Sequence, residues 1–97
     1  MSSPDKLSDD RINEELRKHP RWELDGDKIV REIPASNFAA AVGVVNAVAV
    51  IAETEQHHPD IFIHDWNKVQ ISLTSHEAGG LTDGDFKMAA KIDELNF

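Results

Sequence analysis

Glu53, the adjacent pair His57 and His58, His76 and Asp85 are the residues of this chain whose types and spacing could move protons. Imidazole titrates nearer to neutrality than other side chains, so histidines gathered with carboxylates point to general acid–base chemistry or to metal binding. Glu53 stands one helical turn before His57 and could hold or polarise that ring if the helix persists so far. Pro59 follows directly, and neighbours in extended backbone face opposite sides, so His57 and His58 need not share one role. A plainer alternative makes them caps at a helix C-terminus, where imidazole suits free carbonyls.

A metal shell built from these histidines with Glu53 or Asp85 is disfavoured. Adjacent histidines seldom chelate one ion, and no His-x-x-x-His pair occurs in the sequence. The absence of Cys removes thiolate nucleophiles, thiolate ligands and disulfides. Ser72 and Ser75 lack the context of a nucleophilic serine, and no phosphate-cradling glycine motif is present. What remains is proton transfer on a neutral heterocycle. His19 and His64 read as surface residues without a role, and Trp22 and Trp66 as core or rim aromatics.

The elements that must position these groups fit one domain spanning residues 1–97, with 1–6 expected to be loose. A net charge of −8 disfavours contact with phosphate backbones, and the basic cluster Arg17-Lys18-His19 sits at a helix end, so no direct nucleic-acid partner is expected. No export signal is evident, and a cytoplasmic location is expected. The apolar run from Phe38 to Ala52 is Ala-rich, carries Gly43 and Asn46, and falls short of about 18–20 residues, so it reads as a buried helix and not as a membrane span.

Ser8 is placed to cap a first helix that Pro20 stops, with Asp9 and Asp10 at its start and Arg17 and Lys18 at its end. Trp22 and Leu24 alternate with Glu23, Asp25-Gly26 signals a tight turn, and Ile29 to Ile33 continues as a second strand ended by Pro34. Ser36 is placed to cap the next helix, from Asn37 to about Glu55, whose apolar residues cover more than one side. Ile61-Phe62-Ile63 reads as a strand and Asp65-Trp66-Asn67 as a turn. Val69, Ile71 and Leu73 then alternate strictly with polar residues, and if that phase holds His76 ends the strand on its polar face. Gly79-Gly80 breaks the strand, Thr82 with Asp85 matches a capping box, and Met88, Ala89, Ile92 and Leu95 form a final helical stripe. The order α-β-β-α-β-β-α with hairpin-linked strands predicts an α+β fold, an antiparallel sheet with helices packed on one face.

Glu53 with His57-His58-Pro59, then Trp66, His76 and Asp85, resembles the signature of the pterin-4a-carbinolamine dehydratases. Trp22-x-Leu24, Phe38, Asn67-Lys68-Val69, Thr74-Ser75-His76 and Gly80-Leu81-Thr82 extend the resemblance over nearly the whole chain. Gln56 stands where relatives can carry an acid, and Trp66 where Tyr or Phe is common. The resemblance implies a four-stranded antiparallel sheet with helices on one side, assembly as a homodimer or homotetramer, and an active site lined by His57, His58 and His76, with Glu53 and Asp85 as its acids. Pro59, Thr74, Ser75, Glu77 and Ala78 fall on segments that contact the pterin in that family. The implied reaction dehydrates 4a-hydroxytetrahydropterin to quinonoid dihydropterin, recycling the cofactor of aromatic amino acid hydroxylases without a metal or organic cofactor. Animal members also bind a homeodomain transcription factor. His57 and His76 are the expected proton-transfer pair, with His58 positioning the ligand. The rival reading is a non-catalytic regulatory or dimerisation module built on the Phe38–Ala52 helix, and a pterin-linked role outside aromatic amino acid hydroxylation is a further alternative.

Overall fold

The structure is a computed structural model and describes residues 5–95. Most of the stretch 1–6 expected to be loose therefore lies outside the described residues. Just after it, the Leu7 N–H donates to the Leu81 carbonyl at 2.8 Å, so the chain is already anchored there. Helix α1 (Asp9–Lys18) starts where the Ser8 hydroxyl accepts the Arg11 N–H at 3.2 Å. Strands β1 (Glu23–Asp25) and β2 (Lys28–Pro34) form a hairpin turned at Gly26, whose φ of 64° is the left-handed conformation such a turn requires. Helix α2 (Phe38–Glu55) follows, then β3 (Asp60–His64), β4 (Lys68–Leu73), a single 3-10 turn (His76–Ala78) and α3 (Asp83–Asp93). The four strands pair antiparallel in the order β1-β2-β4-β3, so the predicted architecture and element order are found.

The core lies on one face of this sheet. Val69, Ile71 and Leu73 of β4 are fully buried, and their partners across the ladder include Ile29 and Ile33 of β2. Val48 and Ala52 of α2 and Met88, Ala89 and Ile92 of α3 close over them. Arg31 occupies the same inward rank, opposite Ile71. A half-buried guanidinium needs a partner, and Asp93 supplies one at 2.7 Å while also accepting the Trp22 indole N–H at 3.0 Å. Burial holds the Arg31 pKa below its ordinary value despite the opposing pull of Asp93.

One expectation needs correction. The cap of α2 is Asn37 and not Ser36: Asn37 is extended and its Oδ1 accepts the Ala40 N–H at 2.8 Å. Within the chain α2 meets the sheet through β3 and β4 and a second helix, α3. Ala41, Val44, Val48 and Ala52 are buried and Val45 and Ile51 partly so, while Phe38, Val42 and Val50 stay exposed. At 18 residues, Phe38–Glu55, and a mean hydropathy of 1.5 the helix has the expected span and attains bilayer length. Its buried stripe is nonetheless part of the core shared with the sheet.

Candidate active site

The site forms where α2 ends, where β4 ends and where α3 begins. Helix α2 is terminated by Gln56 in the left-handed conformation (φ 53°, ψ 44°), and the Gln56 and His57 N–H groups both donate to the Ala52 carbonyl. That reversal takes His57 and His58 off the helix and into extended chain. On the facing side β4 stops at Leu73. Ser75 and Gly80 then form an isolated antiparallel bridge, and the 3-10 turn His76–Ala78 closes between them through Gly79 at φ 76°. His76 therefore does not end a strand as expected. It rides on an exposed turn, because the bridge pinches the chain back before the strand can continue.

A cavity of about 440 Å³ opens between these segments, lined by His57, His58 and His76. Gln56, Thr74, Ser75, Glu77, Thr82 and Gly84 complete its wall. The three histidines picked out in sequence thus meet at one cavity, together with Thr74, Ser75 and Glu77. Among the described residues Pro59 and Ala78, expected as pterin contacts, are not in its lining, and neither are Glu53 and Asp85. Gln56, Thr82 and Gly84 were not picked out as contacts. Their sequence signal was proximity: Gln56 adjoins His57, Gly84 adjoins Asp85, and Thr82 is the capping-box partner of Asp85 three residues on.

Asp85 stands behind His57. It is fully buried, and its Oδ1 lies 2.6 Å from His57 Nε2. Its other oxygen, Oδ2, accepts the Thr82 N–H at 2.9 Å and the Ser75 hydroxyl at 2.8 Å. The residue thus does both things open to an acid at a helix start: it ties down the first turn of α3 and it holds a cavity-lining ring. A carboxylate can only accept, so the proton between the two groups belongs to His57 Nε2, and in the neutral ring the lone pair is on Nδ1. Nδ1 lies beside Gly84, where an added Cβ would stand 3.5 Å from it.

Glu53 does not hold His57. Its Oε2 lies 2.5 Å from His58 Nε2, with both side chains largely exposed. The one-turn spacing fails because Gln56 ends the helix before position 57 is reached. Elsewhere His64 pairs with Glu32, and His19 Nδ1 lies 2.9 Å from the Glu15 carbonyl oxygen. Trp22 is buried, whereas Trp66 is exposed on the β3–β4 turn. Among the described residues no group of three or more His, Asp or Glu side chains is placed to hold a metal ion.

Residues 5–95 match the family model for pterin 4 alpha carbinolamine dehydratase. A Chloroflexus aurantiacus protein carrying the provisional name pterin-4-alpha-carbinolamine dehydratase is 48% identical over 90 residues, which span 93% of this chain and 96% of the relative. An Aquifex aeolicus protein with the same provisional name is 43% identical over 90 residues, covering 93% of this chain and 90% of its own. The crystal structure of a transcriptional coactivator/pterin dehydratase from Brucella melitensis superposes with a TM-score of 0.83 at 34% identity, over 92% of this chain and 96% of that one. A pterin dehydratase-like protein identified as a RuBisCO assembly factor in the alpha-carboxysome has a TM-score of 0.58 at 20% identity, over 75% and 83% of the two chains. That second likeness shows a shared fold alone. Matched from residue 5 to residue 95, the chain belongs to the pterin 4 alpha carbinolamine dehydratase family.

Proposed function

We propose that this protein is a hydro-lyase that converts a 4a-hydroxytetrahydropterin to the quinonoid dihydropterin and water by histidine acid–base catalysis. The observation that carries this reading is the convergence of His57, His58 and His76 on one cavity, with His57 backed by the buried Asp85. The cavity, about 440 Å³, falls within the range that takes a small bicyclic ligand.

The chemistry requires the C4a–O bond to break with the oxygen leaving as water, the N5 proton to depart, and a C4a–N5 double bond to form. His57, with its lone pair on Nδ1, suits removal of the N5 proton, and Asp85 would stabilise the imidazolium formed. His76, which lines the same cavity from the 3-10 turn, would protonate the departing hydroxyl. His58, beside Glu53 at the cavity edge, would contact the pterin, with Thr74 and Glu77 completing the contacts. Pro59 and Ala78 would act through the course of their loops. Each positioned acid or base contributes about 10²–10⁴-fold.

The same reading makes the protein cytoplasmic, a supporter of tetrahydropterin recycling beside a hydroxylase, and a homodimer or homotetramer. Phe38, Val42 and Val50, exposed along α2, support self-association. They equally favour a second reading, a non-catalytic dimerisation module. The two separate by substituting the histidines, since association would survive where turnover would not. The direct test is the pH dependence of kcat/KM for dehydration: an inflection between about pH 5.5 and 8 is expected, and a flat profile removes the histidines from proton transfer.

A further inference from the structure

We infer that Ser75 and Thr82 are positioning residues for His57, acting through Asp85, and that Ser75 serves the reaction by this route instead of touching the pterin. Both residues line the cavity, so a ligand-binding role is the obvious assignment. The hydrogen bonds argue otherwise. Ser75 Oγ lies 2.8 Å from Asp85 Oδ2 and 2.8 Å from Thr82 Oγ1. A hydroxyl has one proton to give, and a carboxylate can only accept. The Ser75 proton therefore goes to Asp85, and Thr82, whose own hydroxyl lies a long 3.5 Å from Oδ2, gives its proton to Ser75. Both hydroxyl protons are thus directed inward, away from any ligand.

The chain runs Thr82 to Ser75 to Asp85, which is met on its other side by His57. With Oδ2 occupied by the Ser75 hydroxyl and the Thr82 N–H, the carboxylate is fixed in rotation and only Oδ1 is left to face His57. Ser75 also starts the turn that carries His76. One buried carboxylate thereby sets the position of the proposed base directly and that of the proposed acid through the backbone of a single residue. Polar networks of this kind act as a unit when every member is satisfied.

The kinetic arm of the test rests on the dehydratase reading, and the spectroscopic arm does not. In Ser75→Ala, kcat for dehydration is expected to fall about tenfold or more, as for loss of a hydrogen bond to a charged group, with KM little changed. Ser75→Thr, which keeps the hydroxyl, is expected to restore kcat. In protein without pterin, exchange of the His57 Nε2 proton, followed by NMR, is expected to quicken in Ser75→Ala and to slow again in Ser75→Thr. A raised KM with kcat and proton exchange unchanged would overturn the inference and make Ser75 a ligand contact. If the wild type turns over no pterin, the exchange measurement alone decides. Should Ser75→Ala not fold, Thr82→Val removes the outer hydroxyl and is read by the same two measurements.

Discussion

His57 Nε2 stands 2.6 Å from the carboxylate of Asp85, 28 residues away, while Glu53, the acid one turn earlier, pairs with His58. The site therefore holds two histidine–carboxylate pairs in different surroundings. Asp85 is fully buried, so its hold on His57 is little screened. The Glu53–His58 pair stands in water, where ion pairs fix little. On the proposed mechanism the two acids are far from equivalent.

Asp85→Asn tests the buried pair. An amide can keep its oxygen for Thr82 and Ser75 only by turning its NH₂ toward the His57 Nε2–H, which forces the ring into the other tautomer or leaves two donors facing. A loss in kcat of about 10²–10⁴-fold is expected. A stability loss of about 1–3 kcal/mol should accompany it in denaturant unfolding. Near-wild-type kcat in a folded variant would contradict the role given to Asp85.

Glu53→Gln tests the exposed pair. His58 keeps a hydrogen-bonding neighbour and loses only a screened charge, so turnover should change by less than about tenfold, with any effect in KM. A loss on the scale of the Asp85 variant would mean that Glu53 takes part in proton transfer.

Gly84→Ala separates folding from turnover. Gly84 lies in the first turn of α3, and an added methyl there clashes with nothing but would rest 3.5 Å from His57 Nδ1. Stability should hold or rise by up to about 1 kcal/mol, from reduced freedom of the unfolded chain. Activity should fall by about tenfold to a hundredfold, because the methyl occupies the approach to the nitrogen that takes the proton. Thermal unfolding and kcat/KM on one preparation check both halves, and full activity would place the working face of His57 elsewhere.

Glu15 should contribute to the acid limb of stability. Burial pushes its carboxyl up, but hydrogen bonds and charge from Lys18 and Arg11 outweigh that and leave it below the ordinary carboxylate value. A carboxylate lowered on folding adds stability that is present above its unfolded value and is lost as the pH falls through the folded one. Glu15→Gln should therefore lower the melting temperature near neutrality and flatten its fall below about pH 4.5. Parallel acid limbs in the two proteins would show that Glu15 does not contribute.

What could be read in the sequence was whatever depends on near neighbours. The alternation of Val69, Ile71 and Leu73 marked the buried face of β4, and capping at Ser8 and Thr82 is chemistry among residues three apart. Asn37 in place of Ser36 was a choice between adjacent capping residues that only backbone geometry decides. The Glu53–His57 pairing failed because no glycine announces the left-handed break at Gln56. Arg31 shares the inward phase of Ile29 and Ile33, and only the fold brings Asp93, 62 residues on, to make that position tolerable. The link from His57 to Asp85 is likewise a product of the fold, so the sequence could nominate the acid but not assign its partner. The apolar residues on the exposed side of α2 were visible in sequence, but their burial would take something beyond the single chain.

The most direct measurement follows freshly generated 4a-hydroxytetrahydropterin by absorbance in buffer, with the wild type and with His57→Ala. The account predicts a large acceleration by the wild type that falls by about 10²–10⁴-fold in the variant. Acceleration that survives the substitution would contradict the role of His57, and no acceleration by folded wild-type protein would contradict the dehydratase itself.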